Sequence, residues 1–163
     1  DPDVTAMAVQ ALAPYCGRDD ACAQAAAAAL DCLATLEEAG PFRTAESYAQ
    51  AIIALCAMGT APEQSLVDGL LSYQLPDGSF RHLCGGSADL MAAEQGLCAL
   101  AALARLESGR TSLYDMRDLS ASPDQAAVDP ASCLLLSALL PALGALAAPI
   151  LPLLAAAPGG PAL

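Results

Sequence analysis

Acidic, amide and phenolic side chains that could support acid–base chemistry or ligand binding recur on the predicted helices, several of them near helix starts. The set is Asp1, Asp3, Glu46, Tyr48, Gln50, Asp89, Glu94 and Gln95. Glu46 and Gln50 are four residues apart and would therefore share one face of a helix. Two interpretations stay open for these groups. They cap and cross-link neighbouring helices, whose free N–H groups need partners, or they line the rim of a ligand cavity.

Seven cysteines and one histidine are the residues that could bind a metal. The cysteines stand at 16, 22, 32, 56, 84, 98 and 133, an odd number without a CxxC pair, and His82 is the single histidine. The close ligand spacing of a zinc site is missing, so we predict no metal site. Most of the cysteines fall in Ala/Leu-rich stretches, where a free cysteine behaves as a small buried apolar residue. A disulfide between Cys16 and Cys22 is the alternative.

The composition excludes whole classes of function. The 163 residues include 18 Asp and Glu but six cationic residues, all of them Arg, which gives a formal net charge of −12. Such a charge repels phosphate backbones, so nucleic acid is not an expected partner. Hydrophobic residues make up 56% and aromatic residues 4%. Ala and Leu carry the excess and favour helix, which predicts an all-α fold and disfavours disorder.

Five helices are predicted from their end signals, over residues 3–15, 20–38, 44–58, 62–74 and 87–107. We expect Asp3 to cap the first helix, because a carboxylate accepts hydrogen bonds from the free N–H groups of a first turn. Gly40-Pro41 ends the second helix, since proline cannot continue it. Pro62 is expected at the first position of the fourth. No stretch alternates long enough to predict a strand.

Three of the predicted helices carry a glutamine at the same place in a shared pattern. Gln10, Gln50 and Gln95 are separated by 40 and 45 residues, and each is followed by a small or apolar pair. The unit of the repeat is thus a pair of helices. Helix-pair repeats bury their apolar faces by stacking on their neighbours. We therefore expect the three glutamine helices to lie side by side.

The connections after the second and fourth helices match each other as well. Residues 36–42 and 74–80 each end a helix with a glycine turn and place a phenylalanine two residues after the glycine. The motif residues of the repeat are Gln10, Gly40, Phe42, Gln74, Asp77, Gly78 and Phe80. Three matching helices and two matching turns in one consistent order indicate a true repeat.

These motifs resemble a known group of repeat proteins. Gln74-x-x-x-Gly78-x-Phe80 resembles the repeat motif of the squalene and hopene cyclases, with Phe in place of the usual Trp. The whole run from Gly69 to Phe80 is similar to the same region of the prenyltransferase and squalene-oxidase repeats. The resemblance covers residues 1–118. It implies an α/α toroid, in which inner helices surround a cavity and outer helices wrap them. With fewer than three helix pairs, this chain would form a partial ring or arc, with the glutamine helices inside.

The resemblance also indicates what a catalytic member needs. Asp1-Pro-Asp3 is similar to the start of the cyclase acid motif, in which the middle Asp protonates an alkene, so Asp3 is the one candidate for a catalytic acid. Val4 stands where that family has another Asp, and the aromatic residues that stabilise carbocations are few. Prenyltransferases of this fold hold zinc with Asp, Cys and His; here His82 is the single histidine, and Asp31-Cys32 lies far from it in the sequence with a different spacing. We therefore assign no catalytic residue.

Non-enzymatic proteins of the same fold suggest a different function. Toroids of the transcobalamin and intrinsic-factor family hold a corrinoid, and bacterial surface repeat proteins resemble this chain, including its run at 112–116. The resemblance implies a non-catalytic module, secreted or at the cell surface, that binds a small corrinoid-like or hydrophobic ligand or a surface partner. No other cofactor is expected. The alternatives are a fragment of a terpene cyclase or prenyltransferase acting on an isoprenoid, and a structural repeat spacer.

Charge and proline content set the last part of the chain apart. Residues 119–130 are predicted to form a polar linker, and residues 131–163 an uncharged tail rich in Ala, Leu and Pro. As a helix, residues 133–157 would span about 37 Å, enough for the apolar core of a bilayer. Three prolines within that span oppose a single helix. A membrane anchor and a low-complexity extension both stay open.

Overall fold

The computed structural model describes residues 1–115 and 117–119, and this part of the chain is built from helices. They are α1 (Pro2–Leu12), which continues into a short 3-10 turn at Ala13–Tyr15, α2 (Asp20–Glu38), α3 (Ala45–Ala57), α4 (Gln64–Leu71) and α5 (Leu90–Glu107). These described residues contain no strand, and their isolated bridges join Gln74 to Phe80 and Arg81 to Ala88. The prediction of an all-α fold is confirmed for this part of the chain.

Helix α4 differs most from its prediction. It begins at Gln64, because the backbone of Glu63 is still extended, with a ψ of 151°. Pro62 therefore lies outside the helix, and the prediction that it takes the first helical position is wrong. The helix ends at Leu71, since residues 72–74 close into a tight turn instead of continuing it. A helix of this length depends on tertiary packing for its stability.

Short polar side chains cap the helix starts. Asp1 Oδ1 accepts hydrogen bonds from the backbone N–H groups of Asp3 and Val4, at 3.0 and 3.2 Å. Asp3 lies inside the first turn, so the expectation that it caps α1 is wrong. Asp1, the residue before Pro2, is the cap. The caps of α2, α3 and α5 are Asp19, Thr44 and Asp89. Each such cap contributes about 1 kcal/mol.

Helices α1, α3 and α5 lie side by side, with α3 in the centre. Helix α2 packs on α1, and α4 packs on α3. Both lie on one side of α3, because residues of α2, α3 and α4 line the same small cleft. Gln10 bonds to Gln50, and further along both helices Cys16 Sγ lies 3.9 Å from Met58 Sδ. Helices α1 and α3 therefore run in the same direction.

Helix α3 is the buried centre of the fold. Ten consecutive residues from Ala45 to Ala54 are buried, among them Ile52 and Ile53. Small alanines on α3 let three neighbouring helices approach closely, while each isoleucine contributes about 1.5–3 kcal/mol by its burial. One apolar cluster joins α3 to α4 and α5, and a second joins it to α1 and α2. Of the two outer helices, α4 is held by α3 and α2 is held mainly by α1.

An aromatic cluster joins α3 to α4. The ring centroids of Phe42 and Tyr48 are 5.1 Å apart, and those of Tyr48 and Tyr73 are 5.9 Å apart. The Tyr73 hydroxyl donates to the Phe42 carbonyl at 3.0 Å, and burial raises the pKa of Tyr73. Gly69 of α4 lies against the Tyr48 ring, where an added Cβ would come within 2.2 Å of Tyr48 Cε1. Only a residue without a side chain fits this contact.

Gly69→Ala should lower the free energy of unfolding by about 1–3 kcal/mol, because the added methyl group overpacks the aromatic cluster. Gly17→Ala is the matched control, since nothing lies within 4 Å of the position its Cβ would take. Urea unfolding followed by circular dichroism measures both variants. A Gly69→Ala chain as stable as the parent would contradict the close packing of α4 on α3.

The predicted linker at 119–130 and tail at 131–163 lie outside the described residues, apart from residue 119. The same is true of residues 133–157, for which a membrane anchor and a low-complexity extension were the two alternatives. Within residues 1–115 and 117–119, no helix is both long enough and apolar enough to cross a membrane.

Candidate functional site

The three repeat glutamines form a hydrogen-bonded chain across α1, α3 and α5, here called the glutamine row. Gln10 Nε2 donates to Gln50 Oε1 at 2.8 Å and to the Gln50 backbone carbonyl at 3.3 Å. Gln50 Nε2 donates to Gln95 Oε1 at 3.0 Å. Gln50 is 9% exposed, and a buried amide needs partners. The row therefore sets the register of the three helices.

The motif turn that follows α4 is closed by its own polar residues. Asp77 Oδ1 accepts hydrogen bonds from the backbone N–H and the hydroxyl of Ser79, at 3.0 and 2.7 Å, and these bonds lower the pKa of Asp77. Gly78 has a φ of 89°, which favours glycine. Gln74 Nε2 reaches across the turn to the Gly78 carbonyl at 3.4 Å. The motif residues thus specify the turn itself.

The phenylalanines that follow the two glycine turns pack on different helices. The Phe80 ring lies on Gly96 of α5, where an added Cβ would come within 3.2 Å of the ring. Phe42 packs on Tyr48 of α3 instead. Gly40 ends α2, with its N–H bonded to a carbonyl of the last turn. Each turn therefore attaches one helix pair to the next through an aromatic ring.

A buried carboxylate, that of Glu46, ties the loop before α5 to the start of α3. Both carboxylate oxygens of Glu46 lie 2.9 Å from His82 Nδ1, and the His82 carbonyl accepts from the Ala45 N–H at 3.2 Å. Glu46 is buried, whereas His82 is exposed. In the part of the chain that the structure describes, no three His, Cys, Asp or Glu side chains are grouped closely enough to hold a metal. The Glu46–His82 pair therefore positions the loop before α5.

An open cleft of about 850 Å³ lies at the C-terminal ends of α1, α3 and α5. Its apolar lining includes Ile53, Cys56 and Leu106. Three of the six arginines of the chain also line it: Arg18, Arg110 and Arg117. We call it the arginine cleft. In a chain with a net charge of −12, the cleft thus gathers cationic side chains beside an apolar lining, together with Asp115.

The hydrogen bonds of the arginine cleft fix some of its groups. Arg18 Nη2 donates to the Pro14 carbonyl at 3.2 Å. Arg117 Nε donates to Asp115 Oδ1 at 2.8 Å, and this pairing lowers the pKa of Asp115 to about 2. Burial raises the pKa of the Cys56 thiol to about 11. Cys56 is therefore protonated near neutral pH and is a poor nucleophile.

Arg105, in the last turn of α5, holds the loop that forms one wall of the cleft. Its guanidinium donates to the carbonyl and to the hydroxyl of Thr111, both at 2.9 Å. Its Nη2 also bonds both carboxylate oxygens of Asp118, at 2.7 and 2.9 Å. Hydrogen bonds from Thr111 and Arg105 lower the pKa of Asp118. Charge-assisted bonds of this kind are about twice as strong as neutral ones, so Arg105 determines the shape of this wall.

The predicted rim residues lie mostly away from this cleft. At the N-terminal ends of α1, α3 and α5 stand Asp1, Asp3, Glu46 and Asp89. Gln50 and Gln95 belong to the glutamine row. The arginine cleft lies at the opposite ends of the helices, and Gln10 is the predicted residue that lines it. Through the side chain of Gln10, the glutamine row thus reaches the arginine cleft.

Tyr48, Glu94 and Asp3 lie elsewhere. Tyr48 is buried against α4; two positions from Gln50, it projects from the opposite side of α3. Glu94 is exposed on α5. Asp3 Oδ1 is buried and has no hydrogen-bond partner among the described residues. Measured along α1, Asp3 stands about 10 Å from Gln10, so the candidate acid is remote from the cleft.

The six described cysteines all carry free thiols. The alternative of a Cys16–Cys22 disulfide is therefore wrong. Cys56 is buried, as predicted, but Cys32 and Cys84 are exposed. Burial was expected for most of the cysteines, from the Ala/Leu-rich sequence around them. Cys32 is in such a stretch but lies on the open side of α2, and Cys84 lies in the loop before α5. The seventh cysteine lies outside the described residues.

The arginines of the cleft are the residues that sequence reasoning missed. They lie in the segments that follow α1 and α5, outside the glutamine pattern on which the site prediction relied. One signal was present, because three of the six cations stand within residues 105–117.

Comparison with known proteins adds no assignment. No protein-family model matches the chain, and neither the curated proteins nor the solved structures contain a match. The resemblance of the motif at 74–80 to cyclase repeats stays a prediction.

Gln50→Leu should lower the free energy of unfolding by about 1–3 kcal/mol, because the change removes both side-chain bonds of the row. Gln95 Oε1 loses its donor, and Gln10 Nε2 keeps only its longer bond to the backbone carbonyl of residue 50. Gln64→Leu is the control: its amide also bonds one side chain, Asp68, at 2.8 Å, but on the surface. We expect less than about 0.5 kcal/mol there. Equal effects of the two substitutions in urea unfolding would count against the row.

Arg105→Gln should release the cleft wall and speed tryptic cleavage after Arg110 and Arg117. The loss of a charge-assisted bond costs about 1.5–3 kcal/mol, which corresponds to about tenfold or more in local opening. Cleavage after Arg43, in the turn before α3, is the internal control and should keep its rate. Mass spectrometry of timed digests at pH 7.5 follows all three sites. Unchanged rates after Arg110 and Arg117 would show that Arg105 does not hold the loop.

Proposed function

We propose that residues 1–118 form a non-catalytic binding module, built as an arc of α/α-toroid helix pairs, that holds a small ligand in the arginine cleft. The observation that carries this proposal is the cleft itself, where three arginines surround an apolar lining. The ligand we favour is a corrinoid or another hydrophobic molecule that bears an anionic or amide edge.

The arrangement of the helices supports the toroid part of the proposal. The three glutamine helices are adjacent, and α2 and α4 cover one side of them. An inner layer of helices in a common direction with an outer layer around it is what the resemblance implies for this fold. The described part of the chain supplies two complete helix pairs and the inner helix of a third.

The size and chemistry of the cleft support ligand binding. Small-molecule sites measure about 300–1,000 Å³ and combine an apolar lining with a few polar groups. The arginine cleft, at about 850 Å³, has that composition, with Ile53 and Leu106 beside guanidinium groups. Guanidinium groups bind phosphate and carboxylate in a planar, two-point geometry.

We propose that the module is not catalytic because its reactive groups are poorly placed or protonated. Asp3, the one candidate acid, lies in the first turn of α1, whereas the cleft lies beyond the last turn. The buried Cys56 thiol lines the cleft, but its pKa of about 11 keeps it protonated. A terpene cyclase or prenyltransferase fragment and a structural spacer are the competing functions.

A location outside the cell, either secreted or at the cell surface, is part of the same proposal. It rests on the resemblance to bacterial surface repeat proteins and to extracellular corrinoid carriers. The acidic surface, free of lysine, suits that setting.

Cobalamin and farnesyl diphosphate are the two probes that test the proposal. We expect at least one of them to raise the thermal midpoint by about 5 °C or more at saturating concentration, and bound cobalamin to shift its visible absorption. Farnesyl diphosphate should be recovered unchanged. Release of diphosphate or formation of a cyclic product would favour the enzyme alternative. Failure of both probes to stabilise the chain would contradict the proposed binding and favour the spacer.

Ala57→Phe locates the bound probe. Ala57 lines the arginine cleft, so a phenyl ring there should fill part of it and weaken binding about tenfold or more, the effect of about 1.4 kcal/mol. Ala25→Phe, on the exposed side of α2, is the matched control and should bind like the parent. Equal affinities of the two variants would place the ligand outside the cleft.

A further inference from the structure

The two outer members of the helix row expose apolar faces. On α1, Val4 and Met7 are 65% and 56% exposed, and Ala8 and Ala11 complete the same face. On α5, Leu90 and Leu97 are 73% and 42% exposed, with Met91 beside them and the exposed Glu94 between them. We call these the α1 edge and the α5 edge. Exposed apolar side chains mark interaction surfaces, and here they lie on the sides of α1 and α5 that face away from α3.

The glutamine row has a direction, and its two ends are chemically complementary. Gln10 donates to Gln50, and Gln50 donates to Gln95. The row therefore uses neither the Oε1 acceptor of Gln10 nor the NH2 donors of Gln95. An acceptor ends the row on the side of α1, and a donor ends it on the side of α5. Gln95 Nε2 of one copy could donate to Gln10 Oε1 of a neighbouring copy, just as Gln10 Nε2 donates to Gln50 Oε1 within one copy.

We propose that a second copy of this chain docks head to tail, with the α5 edge of one copy on the α1 edge of the next. The contact continues an interface that the fold already contains twice, between α1 and α3 and between α3 and α5. At each contact, Gln95 Nε2 of one copy would donate a hydrogen bond to Gln10 Oε1 of the next. Because the two edges differ, the contact is heterologous, and copies assemble into a ring or an open array.

The charge of the chain sets how this association depends on salt. Each copy carries a formal charge of −12, so two copies repel each other at low ionic strength. Salt screens that repulsion over about 10 Å at 0.1 M, whereas the apolar and amide contacts are little affected. Association between copies should therefore strengthen from 20 mM to 300 mM NaCl.

Complementary edge variants of the full chain test the proposal by analytical ultracentrifugation. Met7→Glu spoils the α1 edge and Leu97→Glu the α5 edge, so each variant alone should be monomeric at concentrations where the parent associates. An equimolar mixture should form a one-to-one dimer that grows no further, because it retains one intact edge of each kind. Leu71→Glu, on α4 and 39% exposed, is the matched control and should associate like the parent.

Several outcomes would overturn the proposal. A monomeric parent at 200 mM NaCl and about 100 μM chain, a concentration at which a micromolar contact is nearly saturated, would do so. Association that persists in both edge variants would place the contact elsewhere, for instance in residues 131–163. A Leu97→Glu chain that still dimerises while Met7→Glu does not would indicate a symmetric contact between two α1 edges.

Gln95→Glu isolates the amide bond between copies. A carboxylate still accepts from Gln50 Nε2, so the row within each copy remains, but it no longer donates to a neighbour. We expect association to weaken about tenfold or more, the effect of about 1.4 kcal/mol, with the thermal midpoint nearly unchanged. Glu94→Gln, one residue away and exposed, is the control and should associate at least as strongly as the parent. Equal association of Gln95→Glu and the parent would remove the amide contact from the proposed interface.

Discussion

The burial of one amide, that of Gln50, constrains the whole arrangement. Helix α3 is covered by three other helices, and a polar side chain in its middle costs free energy unless it is bonded. Its carbonyl oxygen accepts from Gln10 and its NH2 group donates to Gln95. Both bonds exist only when α1, α3 and α5 hold one mutual register. A position that could have been another alanine instead specifies how three helices align.

The same alignment positions the cleft. Because the three helices share a register, their last turns meet at one end of the molecule, and the loop after α5 closes over them. Arg105 holds that loop through Thr111 and Asp118, while Gln10 joins the cleft to the row. The elements that give the fold its order therefore also shape the surface on which we propose ligand binding. The exposed apolar side chains on the outer sides of α1 and α5, and the amide groups that the row does not use, lie at the two sides of the same row.

Much of this fold could be predicted from the sequence, and the reasons are local. Alanine and leucine content predicted an all-α fold, and the recurring glutamine predicted which helices are neighbours, because a repeated residue marks a repeated environment. The limits of α4 were harder to predict: Pro62 suits a first helical position, but the extended backbone of Glu63 delays the helix. Asp1 and Asp3 are equivalent by residue type, and only the path of the chain determines which of them caps α1.

The cleft could not be predicted from the helical pattern, since it depends on contacts between distant segments. Arg18, Arg110 and Ile53 meet there, and no periodicity brings them together.

The central claim, that Gln50 bonds both Gln10 and Gln95, is tested most directly by nuclear magnetic resonance of the labelled chain. The account predicts nuclear Overhauser contacts from the Gln50 side-chain NH2 protons to both Gln10 and Gln95, with slowed solvent exchange of the Gln50 NH2 group. A Gln50 NH2 group that exchanges freely and shows no contact with either partner would contradict it.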